Sequence, residues 1–303
     1  MVTYKHEQFI KGAVLSVIEQ QGDFEVELIV ADDLSPDRTP DIIRELIASH
    51  PKGHRIKYTR HDNNKGMFGN FFWALNQCNG KYIAICDGDD YWTDHQKLKK
   101  QIEFLENNPG FVVSCHNARK VNEFNEIIAE QVLPEKEQRD YNAKELQKGA
   151  WLLSLTLCFR NVIKSFPPEF MNVPSPDSFF TALLGEHGDC KFQHDVLPAC
   201  YRVHSGGVFS LKGEKQNLIN RTETHRLLLT YFGRIRNAKL KKHYLELYYR
   251  NASRLCELYL SSSESTDYKL LKKQVLKTVR KYGSLRTYLS VLRSLNQPAE
   301  RSK

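Results

Sequence analysis

Along the first 120 residues, short apolar runs alternate with amphipathic stretches, and two of the runs end in clustered aspartates. VELIVADD (26–33) is mostly apolar until Asp32 and Asp33, and KYIAICDGDD (81–90) until Asp87, Asp89 and Asp90. Runs of this length and composition read as strands buried on both faces of a parallel sheet. Between them, HEQFIKGAVLSVIEQQ repeats apolar residues at Phe9, Ile10, Ala13, Val14, Val17 and Ile18, which is helical spacing, and Gly22 stops it. SPDRTPDIIRELIASHP predicts a second helix capped by Ser35, HRIKYTRH a strand, and MFGNFFWALNQC a third helix closed by Gly80. HQKLKKQIEFLENNPG and FVVSCHNARKV add one more helix and strand, and MVTY supplies half a strand at the start. Repeated strand–helix alternation predicts an α/β architecture with a mostly parallel central sheet. Ligands of such sheets bind beyond the carboxyl ends of the strands, where both aspartate clusters fall.

Further along, the pattern changes. Residues 130–150 are polar and read as a loop, and WLLSLTLCFRNVI as core. PPEFMNVPSPD, broken by four prolines, reads as loop, SFFTALLGEHG as a helix and CKFQHDVLPACYRVH as β-rich. From Lys215 onward no strand pattern remains, and Leu227–Leu260 and Tyr268–Leu295 read as long helices. The expected organisation is a catalytic domain over 1–214 followed by a basic helical region over 215–303.

Charge follows the same division. The chain of 303 residues carries a formal +8, but residues 211–303 hold 21 Lys and Arg against 7 Asp and Glu, a net +14 that leaves 1–210 at −6. A basic segment calls for an anionic partner: a membrane surface, nucleic acid or a charged substrate. KLKKHYLELYYR and LLKKQVLKTVRKYGSLRTYL are the stretches suited to peripheral contact with an anionic membrane. A solvated helical bundle is the simpler reading of the same pattern. No run of eighteen apolar residues is present, and MVTYKHEQF meets charge before any apolar core, so a cytoplasmic protein, peripheral at most on the inner face of the plasma membrane, is expected. Seven scattered cysteines without a CxxC pair read as reduced thiols.

Asp87-Gly88-Asp89-Asp90 carries the clearest chemistry. Three carboxylates in four residues repel one another unless a cation neutralises them. Mg²⁺ or Mn²⁺, hard ions that bridge to phosphate oxygens, suit such a cluster. Gly88 lets the backbone approach a ligand closely. Asp32-Asp33 alone reads first as the cap of the helix that follows.

Taken together, VTYKHEQFIKGAVLSVIEQ, VADDLSPDRTPDII, NNKGMFGNFFWAL and GKYIAICDGDDYW resemble family 2 of the glycosyltransferases, with its GT-A nucleotide-sugar-binding fold. SPDSFF and YRVHSGG resemble bacterial members and extend the likeness to about Ser210. The resemblance implies that Thr3 and Tyr4 line the nucleotide pocket and that Asp33, with Asp32 beside it, bonds the base. Lys65 and Gly66 lie in the segment that approaches the nucleotide, and Asp87 lies near the ribose. Asp89 would hold the metal that bridges the diphosphate, with His204 reaching the metal or diphosphate, and Asp177 would be the general base. It further implies an inverting, metal-dependent transfer from a nucleotide-sugar, a UDP-sugar by preference, to a saccharide or lipid-linked saccharide acceptor in bacterial surface polysaccharide or glycolipid synthesis. Family members carry a fuller first strand than the half-strand at Met1, and where they have Asp-Gly-Ser this chain has Leu34-Ser35, a mild change in a turn.

Simpler assignments stand beside these roles. Asp177 also suits the cap of SFFTALL, His204 a structural contact, Arg202 either a phosphate or an acidic partner, and Trp73 and Trp92 the core or a pocket wall, while Trp151 suits an acceptor platform. Three other functions compete. A nucleotidylyltransferase would need a Gly-rich phosphate loop after Tyr4, and a degenerate transferase would bind donor without turnover. A nucleic-acid-binding protein would use the basic tail but shows no recognised motif.

Overall fold

The computed structural model describes residues 1–207, 213–261, 265–284 and 291. Strands β1 (Val2–Thr3), β2 (Leu28–Asp32), β3 (Ile56–Arg60), β4 (Tyr82–Ala84), β5 (Phe111–Cys115), β6 (Ala118–Val121), β7 (Ile127–Ala129), β8 (Cys158–Arg160), β9 (Asp189–Phe192) and β10 (Ala199–Arg202) alternate with helices. The helices are α1 (Ile10–Ile18), α2 (Thr39–Ser49), α3 (Gly66–Gln77), α4 (Lys97–Asn107), α5 (Ala143–Gln147), α6 (Pro176–Leu184), α7 (Glu214–Arg234), α8 (Ala238–Ser261) and α9 (Ser265–Tyr282).

Two compact units form. The first comprises the described residues of Met1–Leu146, Trp151–Lys164 and Leu184–Ser210; the second those of Gln147–Ala150, Ser165–Leu183 and Leu211–Lys303. Segments 147–150 and 165–183, read from the sequence with the catalytic region, thus pack with the C-terminal helices.

In the first unit, β1, β2 and β3 form a parallel sheet in which Val2 faces Ala31 and Leu28 faces Ile56. All five residues of β2 are buried, which is why its sequence is continuously apolar up to Asp32. Gly88 N–H donates to the Val2 carbonyl at 2.9 Å, so the DGDD turn lies against the edge of β1. The second sheet runs β4-β8-β5-β9 and is mixed: β8 lies antiparallel to both neighbours, and β5 and β9 are parallel. The WLLSLTLCFRNVI stretch therefore supplies a strand between β4 and β5. A third sheet, β10-β6-β7, pairs β10 parallel to β6. Ile10, Val14, Val17 and Ile18 of α1 pack with Leu28 and Val30 of β2 and Ile43 and Leu46 of α2. Each such side chain contributes about 1.5–3 kcal/mol on burial. All seven cysteines are free and six are buried, in line with reduced thiols.

Residues 130–150 are not a plain loop. Leu133, Tyr141 and Leu146 are buried, Tyr141 bridges to Cys190, and Asn117 Oδ1 accepts from Leu133 N–H at 3.0 Å. These anchors come from distant residues, and the local polar composition conceals them.

In the second unit, the stretch read as one helix over Leu227–Leu260 is two. The Arg236 N–H donates to the Gly233 carbonyl at 3.3 Å and the Asn237 N–H to the Phe232 carbonyl at 2.9 Å, with Arg236 at φ 60°. That pair of bonds around a left-handed residue terminates α7. Asn237 Oδ1 then accepts from Leu240 N–H and caps α8. The Phe232 and Tyr244 rings stack at 5.5 Å, and Arg234 pairs with Glu169 through two 2.8 Å bonds that tie segment 165–183 to α7. The last helix ends at Tyr282, with Gly283 and Ser284 outside it; the reading of a helix on to Leu295 lies outside the described residues beyond Ser284, apart from Val291, which is helical. Among the described residues no helix is long and apolar enough to cross a membrane.

Candidate active site

The carboxyl ends of β1 and β2 and the DGDD turn meet in the first unit. Lys5, at φ 60°, turns the chain sharply out of β1, and its N–H is held by Ser35 Oγ at 3.0 Å. The next residue, His6, donates its backbone N–H to Thr39 Oγ1 at 3.0 Å. The loops after β1 and β2 therefore brace each other through side-chain hydroxyls.

The two members of the Asp32-Asp33 pair have different duties. Asp32 is fully buried: Oδ1 accepts from Ser35 N–H at 2.8 Å and Oδ2 from the Tyr58 hydroxyl at 2.7 Å. It braces the turn. Burial, with the bond to Asp32 next, pushes the Tyr58 hydroxyl well above its usual range. Asp33 Oδ1 accepts from the Lys65 N–H at 2.6 Å, and its carbonyl accepts from the Asn64 amide. Asp33 thereby fixes the Lys65-Gly66 turn that opens α3, where Gly66 at φ 73° occupies a conformation that favours glycine. Leu34 also sits at φ 65°, so the departure from the family's glycine is more than a mild turn change: a left-handed leucine costs about 1–2 kcal/mol.

DGDD divides its carboxylates. Asp90 is buried and accepts the Arg202 backbone N–H at 2.8 Å. Burial, then the neighbouring Asp89 and Asp87 charges, raise its carboxyl well above the usual range. The Asp87 carbonyl accepts from Asp90 N–H and closes the turn. Asp89 points the other way, with Oδ2 3.1 Å from His204 Nε2 and 3.9 Å from His6 Nε2. Burial works to raise the Asp89 carboxyl, but the bond with His204 and the adjacent His6 outweigh it, and the net shift is downward. Burial also holds the His6 imidazole below its ordinary value against the pull of Asp89.

Thr3 is buried and its Oγ1 lies 3.2 Å from His6 Nδ1, while Tyr4 is exposed with Lys5 Nζ 5.2 Å from its ring. A Cβ on Gly88 would fall 2.7 Å from Thr3 Oγ1 and 2.8 Å from His6 Nδ1, so only glycine lets the turn come this close. Among the described residues, Arg202 forms no ion pair with a carboxylate side chain. Its guanidinium donates to the carbonyls of Asp89 and Asn122 and to Asn125 Oδ1, and it lies over the Phe9 and Tyr91 rings. Arg202 is a strut for the DGDD turn. Trp92 is core, with Nε1 donating to the Leu155 carbonyl, and Trp73 meets His61 edge-on.

A cavity of about 120 Å³ lies at the opposite, amino-terminal end of the sheet, among Met1, Val17, Leu28, Tyr82, Trp92 and Cys158. Its walls are largely apolar and the acidic clusters lie at the other strand ends, so the chemistry does not belong there.

One group, His6, escaped the sequence reading, and Arg202 was read for a different duty. His6 and Arg202 complete the turn's surroundings, and for His6 there was a usable signal: a histidine just past the end of a strand of a parallel sheet sits in the ligand crevice.

Asp177 belongs to the second unit and lies in the first turn of α6, which starts two residues earlier than the sequence suggested. Its side chain remains open to solvent, yet the protein around it withholds enough bulk water to push its carboxyl up to about 6. Trp151, which belongs to the first unit, is exposed.

The donor set fits a divalent cation. One ligand atom each from His6, Asp89 and His204 lie within 4.8 Å of one another. Bonds of about 2.1 Å place neighbouring ligand atoms roughly 3.0–3.4 Å apart, close to the spacing of the Asp89–His204 pair.

Comparison with known proteins places this geometry. The sequence model for Glycosyl transferase family 2 matches residues 1–164. An uncharacterized protein of Mycobacterium tuberculosis is 39% identical over 210 residues, 69% of this chain and 59% of its own length. The chain thus spans somewhat under two thirds of that relative. A UDP-Glc:alpha-D-GlcNAc-diphosphoundecaprenol beta-1,3-glucosyltransferase of Escherichia coli is 34% identical over 214 residues, covering 70% of this chain and 79% of the relative. Two solved structures share the fold. Staphylococcus aureus TarS, in complex with UDP-GlcNAc, has a TM-score of 0.54 at 16% identity over 94% of this chain and 91% of its own. A Pyrobaculum calidifontis mannosyltransferase with GDP-Man and Mn²⁺ has a TM-score of 0.51 at 17% identity over 96% and 77%. The expected GT-A architecture is therefore present, and the chain belongs to glycosyl transferase family 2.

Proposed function

We propose that this protein transfers a sugar from a nucleoside-diphosphate sugar to an acceptor hydroxyl with inversion at the anomeric carbon. The observation that carries the proposal is the pairing of Asp89 with His204 at the carboxyl ends of the strands, on a turn held by Gly88 and Arg202. Asp89 and His204 would hold Mg²⁺ or Mn²⁺. A divalent ion there supplies Lewis acidity to the departing diphosphate. Thr3, Tyr4, Asp33, Lys65 and Gly66 are assigned to the nucleotide, and Asp87 to its ribose. Asp32, with both oxygens engaged, serves by holding the turn beneath them.

Asp177 is assigned the proton of the acceptor hydroxyl. The assignment rests on the likeness of its SPDSFF segment and on its own ionisation: a carboxylate that titrates at about 6 is mostly charged at neutral pH and more basic than an ordinary one. With one base and no enzyme nucleophile, the displacement is single and inverts. The UDP-Glc named for the Escherichia coli relative and the UDP-GlcNAc bound by TarS support a UDP-sugar donor, while the GDP-Man of the archaeal neighbour keeps the base open to test. The relative's diphosphoundecaprenol acceptor supports a lipid-linked saccharide, and with it the inner face of a bacterial plasma membrane as the place of work.

The test is release of free nucleoside diphosphate from a panel of nucleotide-sugars with Mn²⁺ present. Slow donor hydrolysis is expected without acceptor, lost in Asp89→Ala and on adding EDTA. Absence of both turnover and calorimetric donor binding across the panel would overturn the proposal. Binding without turnover, even with a lipid-linked saccharide present, would instead favour a donor-binding protein that has lost catalysis.

A further inference from the structure

His6 is the group in this site that neither the motif pattern nor the assigned roles account for. Its backbone is fixed by Thr39 Oγ1 and its Nδ1 is engaged with Thr3 Oγ1, so Nε2 is the nitrogen that faces Asp89. His204 presents the same nitrogen, with a different partner behind it. Its Nδ1 receives the Gly206 N–H at 3.3 Å, and its Nε2 faces Asp89 at 3.1 Å. The rings stand edge-on to one another with centroids 5.9 Å apart, and Phe9 packs against His204 at 4.9 Å. The two Nε2 atoms therefore converge on one carboxylate oxygen, each with its far nitrogen already tied. A ligating imidazole donates its far N–H to an outer acceptor, the role that Thr3 Oγ1 can fill for His6; at His204 the contact with the Gly206 N–H is exchanged when Nε2 takes an ion, because a nitrogen that accepts that bond carries no proton. The side chains of His6, Asp89 and His204 keep 14%, 20% and 7% exposure, enough for an ion and its remaining ligands to enter. Gly88 completes the enclosure, since any Cβ there would strike the Thr3–His6 pair.

Resting on the metal-assisted reading above, we propose that His6 is a third protein ligand, making a two-histidine, one-carboxylate site that selects a transition-metal ion over Mg²⁺. The donor chemistry decides the preference. Mg²⁺ favours an all-oxygen octahedron, whereas imidazole nitrogen favours the later divalent ions, with affinity for a given nitrogen-containing site rising from Mn²⁺ to a maximum at Cu²⁺. Three ligands on one side leave positions for diphosphate oxygens and water. Closing the 3.9 Å gap between His6 and Asp89 to the roughly 3.0–3.4 Å of a shared ion needs a side-chain adjustment of less than 1 Å.

Mn²⁺ alone, added to the full chain and followed by electron paramagnetic resonance, tests this without reference to turnover. The expected result is one bound Mn²⁺ per chain, with nitrogen modulation of the spin echo from two imidazoles. Mg²⁺ should displace it only in roughly tenfold or greater excess. His6→Ala should leave one coupled imidazole and weaken Mn²⁺ binding at least about tenfold, and Thr3→Val, which removes only the outer partner, should weaken it by roughly tenfold with His6 in place. Circular dichroism would show that both variants keep the fold. Mn²⁺ bound in the wild type through a single imidazole, unchanged in His6→Ala, would overturn the inference while leaving metal-assisted transfer by Asp89 and His204 standing. Equal affinity for Mg²⁺ and Mn²⁺ would do the same. No Mn²⁺ binding, alone or with UDP, would remove both this inference and the metal role proposed above.

Discussion

Asp89 and Asp90 are adjacent and chemically identical, yet the fold gives them opposite work. Asp89 faces two imidazoles, whereas Asp90 is buried against the Arg202 N–H. Asp89→Asn should lower donor turnover roughly hundredfold or more, because it weakens the stabilisation of charge on the leaving group. Asp90→Asn should spare turnover and change only the pH dependence of stability. The folded-state carboxyl of Asp90 is raised, so its contribution is full below the unfolded value of about 4 and is lost as pH climbs through the folded value. The amide has no charge to bury and still accepts from Arg202, so denaturant unfolding between weakly acidic and neutral pH should show a flatter loss of stability than wild type. Gly88→Ala tests the close approach. Its methyl would meet Thr3 and His6 at under 3 Å, and a stability loss of about 1–3 kcal/mol in denaturant unfolding is expected, together with weaker Mn²⁺ binding. An Asp90→Asn enzyme as inactive as Asp89→Asn would refute the division of roles.

Among the elements, the junction between α7 and α8 shows how a helix pattern can mislead. Apolar periodicity continues through Phe232, Ile235 and Leu240, but the backbone does not, because Arg236 takes a left-handed conformation and Asn237 caps the next helix. An exposed arginine gains nothing from that conformation, whereas glycine adopts it freely. Arg236→Gly is therefore expected to stabilise the second unit by about 0.5–1 kcal/mol, read as a rise in its unfolding midpoint. A drop would mean that the arginine side chain makes a contribution the backbone geometry does not reveal. The DGDD turn is the counterpart in the first unit. Its loop character is legible in Gly88, but its rigidity comes from Arg202, whose guanidinium is held by carbonyls on both sides and by two aromatic faces.

For the molecule as a whole, the ionisation of Asp177 sets an expectation for activity. If it takes the acceptor proton, kcat/KM should fall as pH drops below about 6, since the protonated carboxyl cannot serve as base. Nucleoside diphosphate release with acceptor present, measured from about pH 5 to 8, checks this. The acid limb should vanish, with most of the rate, in Asp177→Asn. A limb unchanged in that variant would assign the base elsewhere. The +14 of residues 211–303 belongs to this scale too. Salt-sensitive sedimentation with anionic vesicles is expected if the basic helices lie on a membrane, and its absence would leave the charge as a solvated face.

Local pattern alone determined a good deal: the strand–helix alternation, the acids at strand ends, the glycine of the DGDD turn and the family. These follow from short-range rules, because burial on both faces forces an apolar run and a tight turn forces glycine. What tertiary structure decided is which side chains meet. Asp89 and His204 lie 115 residues apart, His6 reaches them from another strand end, and Arg202 crosses from β10 to hold the turn. Likewise, whether residues 130–150 were loop or anchored segment depended on partners such as Asn117 and Cys190. A sequence pattern reports the face an element buries, but convergence of three donors on one point depends on the packing of the sheets and loops that carry them.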